Sequence, residues 1–247
     1  MIDYAILIAA AFIAGILNTI AGGGSFLTFP ALVYVGIPPV VANATSAVAV
    51  FPGYLGGALG FREEIMNINR VRLYKMCGVT LIGGVVGSVL LIVSSDKVFN
   101  SIVPWLLLFA TLLFAMSERI ILWAKQREKD ITPPEIISLL LVSIYGGYFN
   151  GGLGIVLLAL FSLIGMTNLN QMNGLKNGLS FVISAISVFI FVIAGLIVWP
   201  EALIMMVFAS IGGYMGAGIA KSLPKKFVQF FIVIVGLVMS LTFYITS

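Results

Sequence analysis

The 247-residue chain contains no histidine and a single cysteine, Cys77. Without histidine it lacks the usual general base near neutral pH and the commonest metal ligand. One cysteine can neither close an intramolecular disulfide nor build a thiolate metal cluster. Charge is also scarce: 9% of the residues are Asp, Glu, Lys or Arg, against roughly 25% in a soluble domain. A soluble fold of this size could not cover its surface with so few charges. What is there instead is 61% hydrophobic residues and a mean hydropathy of +1.17. The composition is that of an all-α polytopic membrane protein. The start, Met1-Ile2-Asp3, has no basic n-region, which argues against a cleavable signal peptide.

Ten apolar segments can be marked off, at 4–21, 26–37, 40–60, 72–93, 100–123, 134–150, 153–166, 172–199, 201–221 and 226–246. A full crossing needs about 20 residues, and segments 26–37 and 153–166 fall short. Each of these follows a glycine-rich break, Gly22-Gly23-Gly24 in one case and Gly151, Gly152 and Gly154 in the other. The net charge of +4 comes from basic residues in short loops, so it reads as a topology signal and not as a nucleic-acid footprint. Arg62, Arg70, Arg72 and Lys75 form one cluster, Arg119, Lys125, Arg127 and Lys129 a second, and Lys221, Lys225 and Lys226 a third. The positive-inside rule puts all three on the cytoplasmic face and both termini outside. The first two segments of each half must then form a hairpin that returns to its own side, and the two hairpins enter from opposite faces.

The chain also resembles itself. At an offset of 129, Gly83-Gly84-Val85-Val86-Gly87-Ser88 falls on Gly212-Gly213-Tyr214-Met215-Gly216-Ala217, and Val35-Gly36-Ile37 on Ile164-Gly165-Met166. With one extra residue Asn43 falls on Asn173, and after a small shift Asn18 falls on Asn150. These matches divide the chain into a first repeat, 1–123, a polar linker, 124–133, and a second, inverted repeat, 134–247. Inverted repeats with short, glycine-broken helices are the signature of secondary transporters.

Candidate binding residues cluster at the two breaks and at the starts of the helices that follow. In Asn18-Thr19-Ile20-Ala21-Gly22-Gly23-Gly24-Ser25 the glycines expose backbone N–H groups, and the helix beginning near Ser25 adds its positive dipole end. That combination suits an anion without any charged side chain. A tight helix–helix turn is the alternative. The second break, Asn150-Gly151-Gly152, repeats the pattern with fewer side-chain donors. Segment 40–60 opens with Asn43, Thr45 and Ser46, and its counterpart with Asn173, Lys176 and Asn177. Lys176 is the only basic residue outside these three clusters and the Asp96–Lys97 loop, about 8 Å into its helix at 1.5 Å per residue. It would pair with an anionic substrate, or it would snorkel to the interface.

The remaining features have plainer readings. Gly56-x-x-x-Gly60, Gly83-x-x-x-Gly87 and Gly212-x-x-x-Gly216 read as small-residue packing motifs. Glu135 and Glu201 read as first-turn acids. No carboxylate stands clearly in mid-membrane, so no carboxylate proton relay is visible. An intramembrane hydrolase would lack its histidine or its aspartate pair. A passive anion channel and a carboxylate transporter remain open alternatives.

The run from Asn18 to Ser25, then Phe29-Pro30-Ala31-Leu32, Gly36-Ile37-Pro38-Pro39 and Ala42-Asn43-Ala44-Thr45, resembles the TauE/SafE sulfite exporter family, also called TSUP. The degenerate second copy is Gly146-Gly147-Tyr148-Phe149-Asn150-Gly151-Gly152-Leu153-Gly154, then Gly165-Met166 and Leu175-Lys176, with Leu175 where the first copy has Thr45. The resemblance implies a transporter of sulfite, sulfoacetate or other organosulfonates in the bacterial inner membrane, with export as the expected direction. Its partners would be the small anionic substrate and the lipid bilayer, with coupling to the proton gradient. No cofactor and no metal are expected.

Overall fold

The computed structural model describes residues 2–21, 23–116, 119, 135–219 and 225–246. The linker 124–133 lies outside them. Among the described residues there are eleven helices and no strand. They are α1 (Ile2–Ala21), α2 (Ser25–Tyr34), α3 (Pro39–Gly60), α4 (Arg62–Met66), α5 (Arg70–Val93), α6 (Asp96–Ala115), α7 (Glu135–Tyr148), α8 (Leu153–Leu163), α9 (Leu169–Ile193), α10 (Trp199–Ile219) and α11 (Lys225–Thr246). Helices α5, α6 and α9 are each long and apolar enough to cross a membrane. Large apolar side chains such as Ile82, Phe109, Leu141 and Phe189 point outward, as they do where the solvent is lipid. The short helix α4, inside the first basic loop, is an element the hydrophobic pattern did not announce.

Local chemistry explains the ends. Asn69 caps α5, its side chain accepting from the N–H groups of Val71 and Arg72. Asn168 does the same for α9, which therefore starts before the expected position 172. Helix α9 also stops at Ile193, short of the expected 199, because Gly195 takes φ +69 and turns the chain. Gly36 and Gly165 end α2 and α8 in the same way, at φ +93 and +86. In both, the following N–H reaches back five residues, Ile37 to Leu32 and Met166 to Phe161, closing a Schellman motif. The self-similar Val-Gly-Ile and Ile-Gly-Met triplets thus share one structure.

The helices pair in a regular way. Helix α1 packs along α10, and α7 along α5; α3 lies against α9, and α6 against α11. Helix α3 also touches α10 as α9 touches α5. The α5/α7 seam is tight because Gly83 and Gly87 meet Ser143 and Ile144 of α7 directly. In the α1/α10 seam Gly212 abuts the Phe12 carbonyl. Small-residue packing holds at these positions, while the surroundings of Gly216 lie outside the described residues. It does not hold at Gly56 and Gly60, where nothing lies within 4 Å of a would-be Cβ. Gly56 borders open space instead. The main apolar core gathers Phe29, Phe99, Phe149 and Phe243, with Phe29 and Phe243 stacked at 5.3 Å. A second core surrounds Leu157, Phe161, Leu175 and Leu179 of α8 and α9.

Candidate functional site

The two glycine breaks meet inside the protein, and they are built differently. Gly24 has ordinary helical dihedrals; it is glycine because a Cβ there would lie 2.6 Å from the Ala14 carbonyl of α1. Gly152 takes φ +71, a conformation that costs other residues about 1–2 kcal/mol. Between them runs a polar knot. Ser25 Oγ donates to the Asn150 carbonyl at 3.0 Å. Asn43 Nδ2 donates to the Tyr148 carbonyl at 2.9 Å. Tyr145 donates through its hydroxyl to the Gly151 carbonyl. The Asn150 carboxamide accepts from Tyr54 at 3.0 Å and donates to Ser184 Oγ at 3.1 Å. Helices α2, α3, α7 and α9 therefore all hold the second break. Such a satisfied network is rigid, since each member left alone would be a buried unpaired group.

Several expected site residues are thus committed to structure. Ser46 shares a 2.6 Å hydrogen bond with Thr28, tying α3 to α2. Thr45 Oγ1 accepts from the Val198 N–H at 3.2 Å, which fixes the approach to α10. Gly23, Gly24, Gly151 and Gly152 are buried with the knot. The N–H groups of Ser25, Gly152 and Gly154 take no hydrogen bond among the described residues, as expected for helix starts. Gly22 and the side chain of Thr19 lie outside the described residues.

Other residues face open space. A cavity of about 430 Å³ lies between α1, α3, α9 and α10. Asn18 enters it from the first half and Asn177 from the second, with Gly53, Gly57, Ser210 and Tyr214 among its other walls. Asn177 rests on Gly57: a Cβ at Gly57 would sit 2.6 Å from its carboxamide carbon. Neither amide is hydrogen-bonded among the described residues, so each offers donors to an occupant. Asn173 is partly buried at the start of α9.

Lys176 is 4% exposed, with no hydrogen bond or ion pair to any described residue. A snorkelling lysine keeps its ammonium in water, and this residue is enclosed by protein. Ser180, one turn on, is fully buried, and its hydroxyl has no hydrogen-bond partner. Spacings of four place Lys176, Ser180 and Ser184 on one face of α9, a polar stripe that runs from the unpaired lysine to the knot. Sequence reading passed over Ser180, Ser184, Tyr54 and Tyr145. The serine spacing carried a signal; the tyrosines looked like ordinary apolar helix residues.

Comparison with known proteins agrees with this architecture. The chain is 27% identical to a "Probable membrane transporter protein" of Haemophilus influenzae, over 96% of this chain and 92% of that relative. It is 28% identical to "Probable membrane transporter protein YfcA" of Escherichia coli, over 95% of this chain and 87% of the relative. It is 27% identical to "Probable membrane transporter protein ORF9" of a Sinorhizobium species, over 96% and 90%. No solved structure matches it. The family described as Sulfite exporter TauE/SafE matches residues 7–243, nearly the whole chain, and the protein belongs to that family of membrane transporters.

Proposed function

We propose that the protein is a secondary transporter that exports a small sulfur oxyanion, such as sulfite, sulfoacetate or another organosulfonate, across the inner membrane. The observation that carries this reading is the pair of unpaired carboxamides, Asn18 and Asn177, in one cavity beside a helix that buries an uncompensated Lys176. A buried ammonium is costly alone and favourable beside an anion. An oxyanion accepts hydrogen bonds on every face, which suits amide donors and a lysine. Asn173, one turn before Asn177 on the same helix, is the further donor this reading assigns to the substrate. The glycine and alanine walls leave room for a short organic tail.

The same reading takes residues 1–123 and 134–247 as inverted halves around the cytoplasmic linker 124–133, with both termini outside. The matched helix pairings support it, as do the matched Schellman ends. Alternating access would come from one half rocking against the other, with the proton gradient as the driving force.

Reconstituted protein loaded with sulfite or sulfoacetate tests the proposal. Efflux should saturate, show counterflow and respond to an imposed pH gradient; a channel would do neither of the first two. Lys176→Gln should weaken substrate binding about 10- to 100-fold, the roughly 1.5–3 kcal/mol of a charged hydrogen bond. Asn18→Ala and Asn177→Ala should each weaken it about tenfold. No thermal response to any sulfur anion, alongside a clear response to acetate analogues, would sink the substrate assignment.

A further inference from the structure

A second cavity, of about 560 Å³, opens where α5 and α7 begin. Its mouth carries Arg72, Lys75 and Glu135, and its floor is Met76, Val79 and Leu139. Arg72 Nε donates to Glu135 Oε1 at 2.8 Å. This ion pair bridges the two helices and fixes the guanidinium, while its terminal nitrogens stay outside the bond. Lys75 follows three residues later on the same helix face, exposed and without a partner among the described residues. Among the described residues, two cations and one carboxylate leave the mouth at +1. The site is therefore an apolar slot that continues the lipid-facing surface, with one net positive charge at its rim.

The matching mouth at the other end of the fold is unlike it. At the repeat offsets Arg72 corresponds to Glu201, Lys75 to Ile204 and Glu135 to Asp3. There Tyr4 donates to Glu201 at 3.4 Å, and these positions hold no cation. The seam geometry recurs, but of the two mouths only the one beside the basic loops carries positive charge.

We infer that the slot between α5 and α7 binds one anionic phospholipid, with its phosphodiester against Arg72 and Lys75 and an acyl chain along Met76, Val79 and Leu139. A phosphodiester carries the single negative charge that the mouth complements, and the apolar floor has no use for a free inorganic anion. Basic pockets between membrane helices hold lipid headgroups in this manner. The site is separate from the Asn18/Asn177 cavity and stands without the substrate proposal.

The full chain, purified in neutral detergent, tests this by native mass spectrometry and thermal unfolding with added phosphatidylglycerol, phosphatidylcholine or inorganic phosphate. One phosphatidylglycerol should remain bound and raise Tm, and neither phosphatidylcholine nor phosphate should do so. Lys75→Gln leaves the Arg72–Glu135 pair intact and should lower phosphatidylglycerol occupancy about fivefold, the roughly 1 kcal/mol of one cation near a membrane surface. Arg72→Gln with Lys75→Gln should abolish the response, and Glu201→Gln at the opposite mouth should leave it unchanged. Equal responses to phosphatidylglycerol and phosphatidylcholine, a response to phosphate alone, or full retention by the double variant would overturn the inference.

Discussion

The flank where α9 meets α5 is shut, and the flank where α3 meets α10 is open. On the shut side Ile186 fills the space over Gly84, its methyl 2.7 Å from where a Cβ would stand. Beside it Ser88 Oγ donates to Ser187 Oγ at 2.8 Å. On the open side lies the 430 Å³ cavity. The one-residue shift that aligns Asn43 with Asn173 also aligns Gly56 with Ile186 and Gly57 with Ser187. At these two adjacent positions the two helices differ. Where α9 carries a branched chain and a hydroxyl, α3 carries glycines, and Asn177 occupies the room that Gly57 leaves. The glycines at 56 and 57 thus leave the room that the cavity and Asn177 occupy.

If the shut flank is the closed gate of a transport cycle, locking it should have the largest effect. Ser88→Cys with Ser187→Cys, in a Cys77→Ala background, places two thiols within disulfide reach. Oxidation should abolish substrate efflux, and reduction should restore it. Substrate-dependent thermal stabilisation should survive oxidation, because the cavity is on the other flank. Undiminished efflux from the fully oxidised protein would show that this flank does not open during transport.

A smaller effect is expected from making the open flank resemble the shut one. Gly56→Ile introduces a side chain where nothing lies within 4 Å, so the fold should tolerate it. The chain would project into the cavity and weaken substrate binding roughly tenfold or more, read by titration calorimetry. An unchanged Tm with lost binding would mark Gly56 as a wall of the site. Unchanged binding would place the substrate elsewhere.

Much of this was legible beforehand, for reasons that differ from residue to residue. Apolar runs and their breaks set ten of the eleven described helices, since hydrophobic length and glycine position are properties of the chain alone. The Gly36 and Gly165 ends were matched from sequence because the same backbone turn demands the same residue. The division of labour among the polar residues was not legible. Asn43 and Asn150 differ from Asn18 and Asn177 only in their neighbours: the first two meet a carbonyl, a tyrosine and a serine from distant segments, and the last two meet open space. Likewise Gly56 matched a packing motif, and only the placement of α10 shows that it borders a cavity. Burial of Lys176 was equally out of reach, because snorkelling and enclosure use the same side chain.

The finest test asks whether the shut flank is held by volume or by the Ser88–Ser187 hydrogen bond. Ile186→Ala removes three carbons over Gly84 and leaves that bond in place. Ile186 is partly buried, so the stability cost should stay near 1–2 kcal/mol, below the range for a fully enclosed residue. A hydrogen bond between two hydroxyls contributes about 1 kcal/mol net, so neither element dominates by magnitude alone. With Ser187→Cys as the reporter in a Cys77→Ala background, the bond is weakened in every sample and only the volume varies. A few-fold faster reaction with a water-soluble maleimide when Ile186→Ala is added would show that Ile186 helps to exclude water there. Equal rates would show that the side chain over Gly84 is not what keeps water from that flank.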